Sequence, residues 1–265
     1  GRTRAQALAS GGAEICARSG VDDVDVGALF GLVRGYSVAD VDSARAVLQP
    51  LMLAYGFEAI ERDGRLIFRN RGRRPGRVIF PDDLALTEEQ RGTIETVRAP
   101  AAETAGRVRL THLEAEGDYE ARTAEAIFPD ERTVSVSTSE LPLVLTAAEG
   151  RAIVERWLAE ARVARDAVRF ALPPSALATG AGDVVRLVAG DTAATYRIDR
   201  VEQIGARLIE AVRVEAETQV PSDAVEENPG LRPFVPPLPV FPQFLDLPLL
   251  TGAEVPHAPH LAVAA

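Results

Sequence analysis

Reactive side chains are scarce in this sequence, and each scarce type can be weighed for the chemistry it would support. The 265-residue chain has one cysteine, Cys16, and three histidines, His112, His257 and His260. A single thiol excludes an intrachain disulfide and a cysteine-only metal cluster. Within GAEICARS, Cys16 fits a small buried residue of an amphipathic helix, and no histidine lies near it in sequence to act as a base. His112 falls in the alternating run RVRLTHL, where a lone imidazole is a hydrogen-bonded or surface group rather than a metal ligand. His257 and His260 form an H-x-x-H pair, but the prolines around them keep them off a helix face. No glycine-flanked serine elbow occurs. Glycoside cleavage would need two carboxylates roughly 5–10 Å apart in a cleft; nothing in the pattern of Asp118, Glu120 and Glu125 separates them from surface acids. Asp183 follows Gly182 at a strand entry and reads as a turn-stabilising acid without an acid or base partner. The expectation is therefore of no catalytic, cofactor-binding or metal-binding residues, and of no enzyme.

The densest charge is cationic. Arg62, Arg65, Arg69, Arg71, Arg73, Arg74 and Arg77 surround a single acid, Asp63. Such a cluster can be a solvated strand end, or it can dock phosphate or an acidic neighbouring subunit. With no aromatic residues interleaved for base stacking, an acidic protein surface suits it better than nucleic acid. Every basic residue in the chain is arginine, as GC-rich bacterial coding favours, and the net charge is −10. That charge opposes a sequence-independent grip on nucleic acid, which comes from neutralising phosphates. It would let DNA slide along a conduit, and it is equally ordinary for a soluble bacterial protein.

The elements that must position these residues centre on Tyr36 to Asn70. Val41, Ala44, Val47, Leu48, Leu51, Met52 and Tyr55 recur at helical spacing, with Asp40 or Asp42 as cap, Gly56 as stop, and Pro50 inside the run, where a kink is expected. The period then changes to that of two strands around Asp63-Gly64, a pair suited to a type I′ turn. That turn sets Ile60 opposite Ile67, Ala59 opposite Phe68, and Glu58 opposite Arg69 as a cross-strand ion pair. Upstream, Ala13 to Ser19 reads as a short helix beyond the interruption Gly11-Gly12, and Val33 to Tyr36 as a strand. Thr146 to Glu149 is a capping box opening a helix with Ile153, Val154, Trp157, Leu158 and Ala161 as its buried stripe. Strands are expected at 77–80, 93–97, 107–113, 119–127, 133–137, 167–172, 183–188, 195–201 and 208–215. Residues 221–265 hold ten of the eighteen prolines and are expected as an extended, ordered arm.

No apolar run approaches the roughly 20 residues of a membrane span, so the sequence reads as a soluble chain. It begins with glycine and lacks a signal segment, and reads as a processed or excerpted part of a longer polypeptide.

The helix ending in Ala-Tyr-Gly-Phe, the Asp63-Gly64 hairpin with Leu66, Phe68 and Arg69, and GAEICARSGVDDVDV with VRGYSV upstream resemble the putative phage tail protein family. VRFALPP, GAGDVVRLV and TYRIDRVEQI continue the family order, so the resemblance runs from about Gly12 to Glu217. Within that family it is similar to the tail-tip hub (megatron) proteins of gene transfer agents. The resemblance implies an α+β chain of β-barrel-like tail-hub subdomains with two main amphipathic helices and an extended Pro-rich C-terminal arm. The division would be 1–83 (helix plus hairpin), 84–145 (β), 146–220 (helix plus β-barrel-like) and 221–265 (arm or linker). It implies a structural hub at the tail tip or baseplate, forming the distal end of the tube and supporting DNA ejection. The partners implied are two further copies in a trimer, other tail and baseplate proteins, and DNA in transit, with host-envelope contact by the whole particle. The location implied is a virion-like tail assembled in the bacterial cytoplasm. A cell-wall hydrolase module and a secretion-system hub adaptor are the alternatives.

Overall fold

The computed structural model describes residues 5–38, 43–71, 74–88, 90, 92–100, 104–116, 119–129, 135–215, 241–245 and 260–264. It is an α+β chain of two compact units, residues 1–227 and 228–265. No helix among the described residues is long and apolar enough to cross a membrane.

The first unit opens with β1 (Gln6–Ala7) and helix α1 (Leu8–Arg18). The Gly11-Gly12 pair does not interrupt this helix, contrary to expectation. The face carrying Leu8, Gly12 and Cys16 is buried, and that burial outweighs the helix cost of glycine, about 1 kcal/mol per residue. The segment expected as one strand before Tyr36 is two, β3 (Leu32–Val33) and β4 (Gly35–Tyr36), after β2 (Val24–Ala28). Helix α2 (Ala44–Tyr55) runs through Pro50. Its cap is Ser43, whose hydroxyl accepts from the Ala46 amide at 3.3 Å; Asp40, Val41 and Asp42 lie outside the described residues. Gly56 adopts φ 62° and returns its N–H to the Met52 carbonyl, closing the helix as expected.

Strands β5 (Phe57–Arg62) and β6 (Arg65–Asn70) form the expected hairpin, with φ 56° at Asp63 and 78° at Gly64. Its register is Ile60↔Ile67, Ala59↔Phe68 and Glu58↔Arg69. Phe57 and Phe68 are fully buried, with ring centroids 5.9 Å apart. β2 joins this sheet parallel to β6.

Downstream come β7 (Arg77–Ile79), a 3₁₀ turn at Pro81–Asp83, β8 (Ile94–Arg98), β9 (Arg107–Glu114), β10 (Ala121–Ile127) and β11 (Val136–Leu145). Helix α3 (Ala147–Val163) follows, then β12 (Asp166–Leu172), β13 (Val184–Ala189), β14 (Thr192–Ile204) and β15 (Ala206–Arg213). Sheet partnership does not follow chain order. One sheet runs β10-β9-β11-β4 and another β7-β13-β14-β15-β12-β8. The register of β11 against β9 shifts between Glu140 and Val144, across Pro142, which has no ladder N–H to give.

Two cores result. One gathers the three helices over the three- and four-stranded sheets, including Leu8, Leu48, Leu51, Phe57, Phe68, Leu110, Leu143 and Val154. The other is lined by the six-stranded sheet and its flanking loops, including Ile79, Phe170, Leu172, Val185, Ile198 and Ile209. The capping box is present in full: the Glu149 amide donates to Thr146 Oγ1 and the Thr146 amide to Glu149 Oε2. The buried residues of α3 are Gly150, Ile153, Val154 and Leu158. Trp157 is half-buried against the core and Ala161 is exposed, which corrects the expected stripe by moving its centre one turn toward the N-terminus.

In the second unit, β16 (Phe241–Leu245) pairs antiparallel with β17 (His260–Ala264). Pro242 is tolerated there because each strand of a two-stranded ribbon keeps one edge free. The rest of the expected arm lies outside the described residues.

Candidate functional site

Where the sequence concentrates arginine, the structure places a seam between its two cores. The β5-β6 hairpin meets the turn that opens β13. Gly182 in that turn has φ 76°, and a Cβ there would overlap Ile60 Cδ1 and stand 2.8 Å from its Cγ1. Only glycine fits both the left-handed backbone and the approach of β5. Beside it, Asp183 caps its own turn by accepting from the Gly180 amide at 2.9 Å. The same carboxylate takes Arg62 at 2.8 Å and Arg69 at 3.3 Å. Asp183 thus has the turn-stabilising role expected from sequence, and in addition clamps the hairpin.

A second chain of ion pairs crosses the seam from helix to sheet. Glu160 on α3 meets Arg71 at 3.6 Å, Arg71 meets Glu58 at 3.2 Å, and Glu58 meets Arg197 on β14 at 3.1 Å. Burial acts to lower the Arg197 pKa, but the hydrogen bond to Asp199 and the charges of Glu58, Asp199 and Glu160 outweigh it and raise it. Glu58 and Arg69 face one another in register, yet their ion pairs go to Arg71 and Arg197 and to Asp183 respectively; the expected cross-strand pair is replaced by contacts between layers. Sequence reasoning missed these partners because Asp183, Glu160 and Arg197 are about 90 or more residues away along the chain.

A further junction was equally silent in sequence. Arg156 donates to the carbonyls of Leu53 and Ala54 at 3.0 and 2.6 Å, and Trp157 Nε1 to Leu53 at 3.0 Å. These carbonyls end α2 and have no intrahelical partner, so a cation and an indole from α3 satisfy them. Burial lowers the Arg156 pKa, with Glu160 opposing.

Among the described residues, the other candidates lie apart in the fold. Cys16 is fully buried in α1, and burial raises its pKa. His112 is 2% exposed beneath α3, with Nδ1 3.1 Å from the Leu113 carbonyl; a Cβ on Gly150 would stand 2.5 Å from Nε2. Glu125 is ion-paired with Arg109 at 2.7 Å and Arg107 at 3.4 Å, and the Arg109 hydrogen bond lowers its pKa. Glu120 is exposed. Asp118 and His257 lie outside the described residues, and His260 opens β17. No group of three or more potential metal ligands occurs among the described residues.

The site is thus a structural joint, and comparison with known proteins says what kind of protein carries it. Residues 43–201, well over half of the chain, match the family model described as "Putative phage tail protein". The chain belongs to that family. This phage tail protein is similar, at 55% identity and a TM-score of 0.80, to a protein of the virion of a native gene transfer agent particle; the match covers 84% of this chain and 51% of that one. The chain therefore spans about half the length of that particle protein. The fold also matches the tail protein from Neisseria meningitidis MC58 (TM-score 0.57, 10% identity, 82% of this chain and 69% of that one). It matches the prophage MuSo2 43 kDa tail protein from Shewanella oneidensis as well (TM-score 0.51, 14% identity, 82% and 68%). No curated protein matches the chain. As a member of its family, this phage tail protein is a structural component of phage-type tails. The segment matched by the family model includes the whole seam from Glu58 to Arg197.

Proposed function

We propose that the chain is part of the hub at the tail tip of a gene-transfer-agent-type particle. In this reading the six-stranded sheet and the helix-covered sheets are barrel-like hub subdomains, arranged as a homotrimer around the tail axis. They close the distal end of the tube and contact other tail and baseplate proteins. The role is architectural rather than catalytic, and the acidic surface leaves DNA free to pass during ejection. Assembly takes place in the bacterial cytoplasm, before the particle meets a host envelope.

The observation that carries the proposal is the 55% identity to a protein of a gene transfer agent virion over 84% of this chain. The ion-paired carboxylates at Glu58, Glu125 and Asp183 support a building role, since each is engaged by arginine. Electron microscopy of intact particles tests it, with density for this fold expected at the tail end in three copies about the axis. Density elsewhere in the particle, or none, overturns the hub assignment. Release of soluble fragments from peptidoglycan by the purified chain would overturn the architectural reading.

A further inference from the structure

One flank of the seam opens into a cleft of about 320 Å³, whose lining includes Arg62, Arg69, Arg74, Arg77, Thr179 and Asp183. Four arginines line it, with Asp183 as the one lining acid and Asp83 just outside the lining. Asp183 holds Arg62 and Arg69, and Arg77 lies 3.4 Å from the Thr179 hydroxyl and 3.5 Å from Asp83. Arg74 is exposed and has no hydrogen-bond or ion-pair partner among the described residues. Val184 and Val185 add apolar wall. The cleft therefore carries surplus positive charge on a chain whose net charge is −10.

We propose that this cleft is a docking site for an acidic loop or tail segment of a partner protein, with carboxylates received by Arg74 and Arg77 beside the pre-oriented Arg62 and Arg69. The arginine fork matches a carboxylate in two parallel hydrogen bonds. Because Asp183 already fixes two of the forks, less side-chain freedom is lost on binding than at a row of solvated arginines. Size and lining argue for a peptide over nucleic acid. A cleft of this volume admits a few side chains but no duplex, and none of its lining residues is aromatic, so bases have nothing to stack on. A long polyanion would also meet the negative charge of the rest of the molecule. One or two carboxylates on an otherwise neutral loop feel mainly the local field, within a Debye length of about 8–10 Å. The proposal goes beyond the hub reading and stands on the cleft alone.

The test is fluorescence anisotropy of a labelled Gly-Glu-Gly-Glu-Gly peptide titrated with the full chain at about 100 mM salt. Saturable binding is expected, weakened at least about tenfold by Arg74→Glu. It should be unchanged by Arg45→Glu, which reverses an exposed arginine in the first turn of α2, where an acid is well tolerated. A urea midpoint for Arg74→Glu equal to that of the parent chain assigns the loss to the cleft. Absence of saturable binding, or an equal loss with Arg45→Glu, overturns the proposal. Displacement of the peptide by equimolar inorganic phosphate overturns it in favour of a small-anion site, and tighter binding of a labelled DNA duplex overturns it in favour of nucleic acid.

Discussion

At Gly182 the seam depends on the absence of a single carbon. Alanine there would combine a left-handed backbone, costing about 1–2 kcal/mol, with overlap against Ile60. Gly182→Ala should lower stability by about 2–4 kcal/mol in urea unfolding. Adding Ile60→Val removes the Cδ1 atom that the new methyl meets, so the double variant should recover about 1 kcal/mol relative to the sum of the singles. Strict additivity would place the strain in the backbone alone. Tyr55 offers a pH-dependent test. Its hydroxyl donates to the Leu32 carbonyl at 2.8 Å, and burial, reinforced by Glu149 and opposed by Arg34, raises its pKa well above the ordinary value of 10.0. The folded chain therefore retains a proton that the unfolded chain releases above that value. The stabilisation is complete below pH 10.0 and is lost as pH rises toward the folded-state pKa, by about 1.4 kcal/mol per unit. Tyr55→Phe should cost about 1 kcal/mol at neutral pH and flatten the alkaline limb of the stability profile. An alkaline limb identical in the two proteins would show that the phenol ionises equally well when folded.

Among the elements, those with local punctuation were legible in the sequence. The β5-β6 hairpin needs only Asp63-Gly64 and two alternating runs, and α3 only its Thr146–Glu149 box; both formed where their residues placed them. Elements whose local preference yields to packing were not legible. In α1, Gly11-Gly12 reads as a break until Leu8 and Cys16 on either side are known to be buried in one core. The stripe of α3 shifts because Gly150, with no side chain to signal it, is the residue that lets the helix settle over His112. Trp157, half-buried, joins helices as much as it fills a core: its indole caps α2 while its ring packs on the helical side. Trp157→Ala should cost about 3 kcal/mol, and Trp157→Phe about 1 kcal/mol for the hydrogen bond. A loss below about 1 kcal/mol for alanine would mean that the helices are held by other contacts.

Across the molecule, two cores share one cooperative transition only as far as the seam couples them. Trp157 belongs to the helical core and is the only tryptophan, so its fluorescence follows that half, while far-UV circular dichroism follows both. In the parent chain the two signals should coincide in urea. Asp183→Asn leaves Arg62 and Arg69 without their shared carboxylate, at a cost of about 2 kcal/mol for a partly exposed cluster. The two midpoints should then separate, further so in high salt, which screens the remaining pairs. Coincident midpoints in the variant would place the coupling in apolar contact. The arginine cluster was visible in sequence as a charge run; its partners were not, because ion pairing between distant segments leaves no periodicity.

The buried position of Cys16 gives the chain a built-in clock. With its sulfur shut inside α1 and its proton held more tightly than in water, the thiol cannot react with a modifying reagent until that helix lifts away. Because this sequence carries no second sulfhydryl, the pace of mass gain on the free chain reads out one event, the breathing of helix α1.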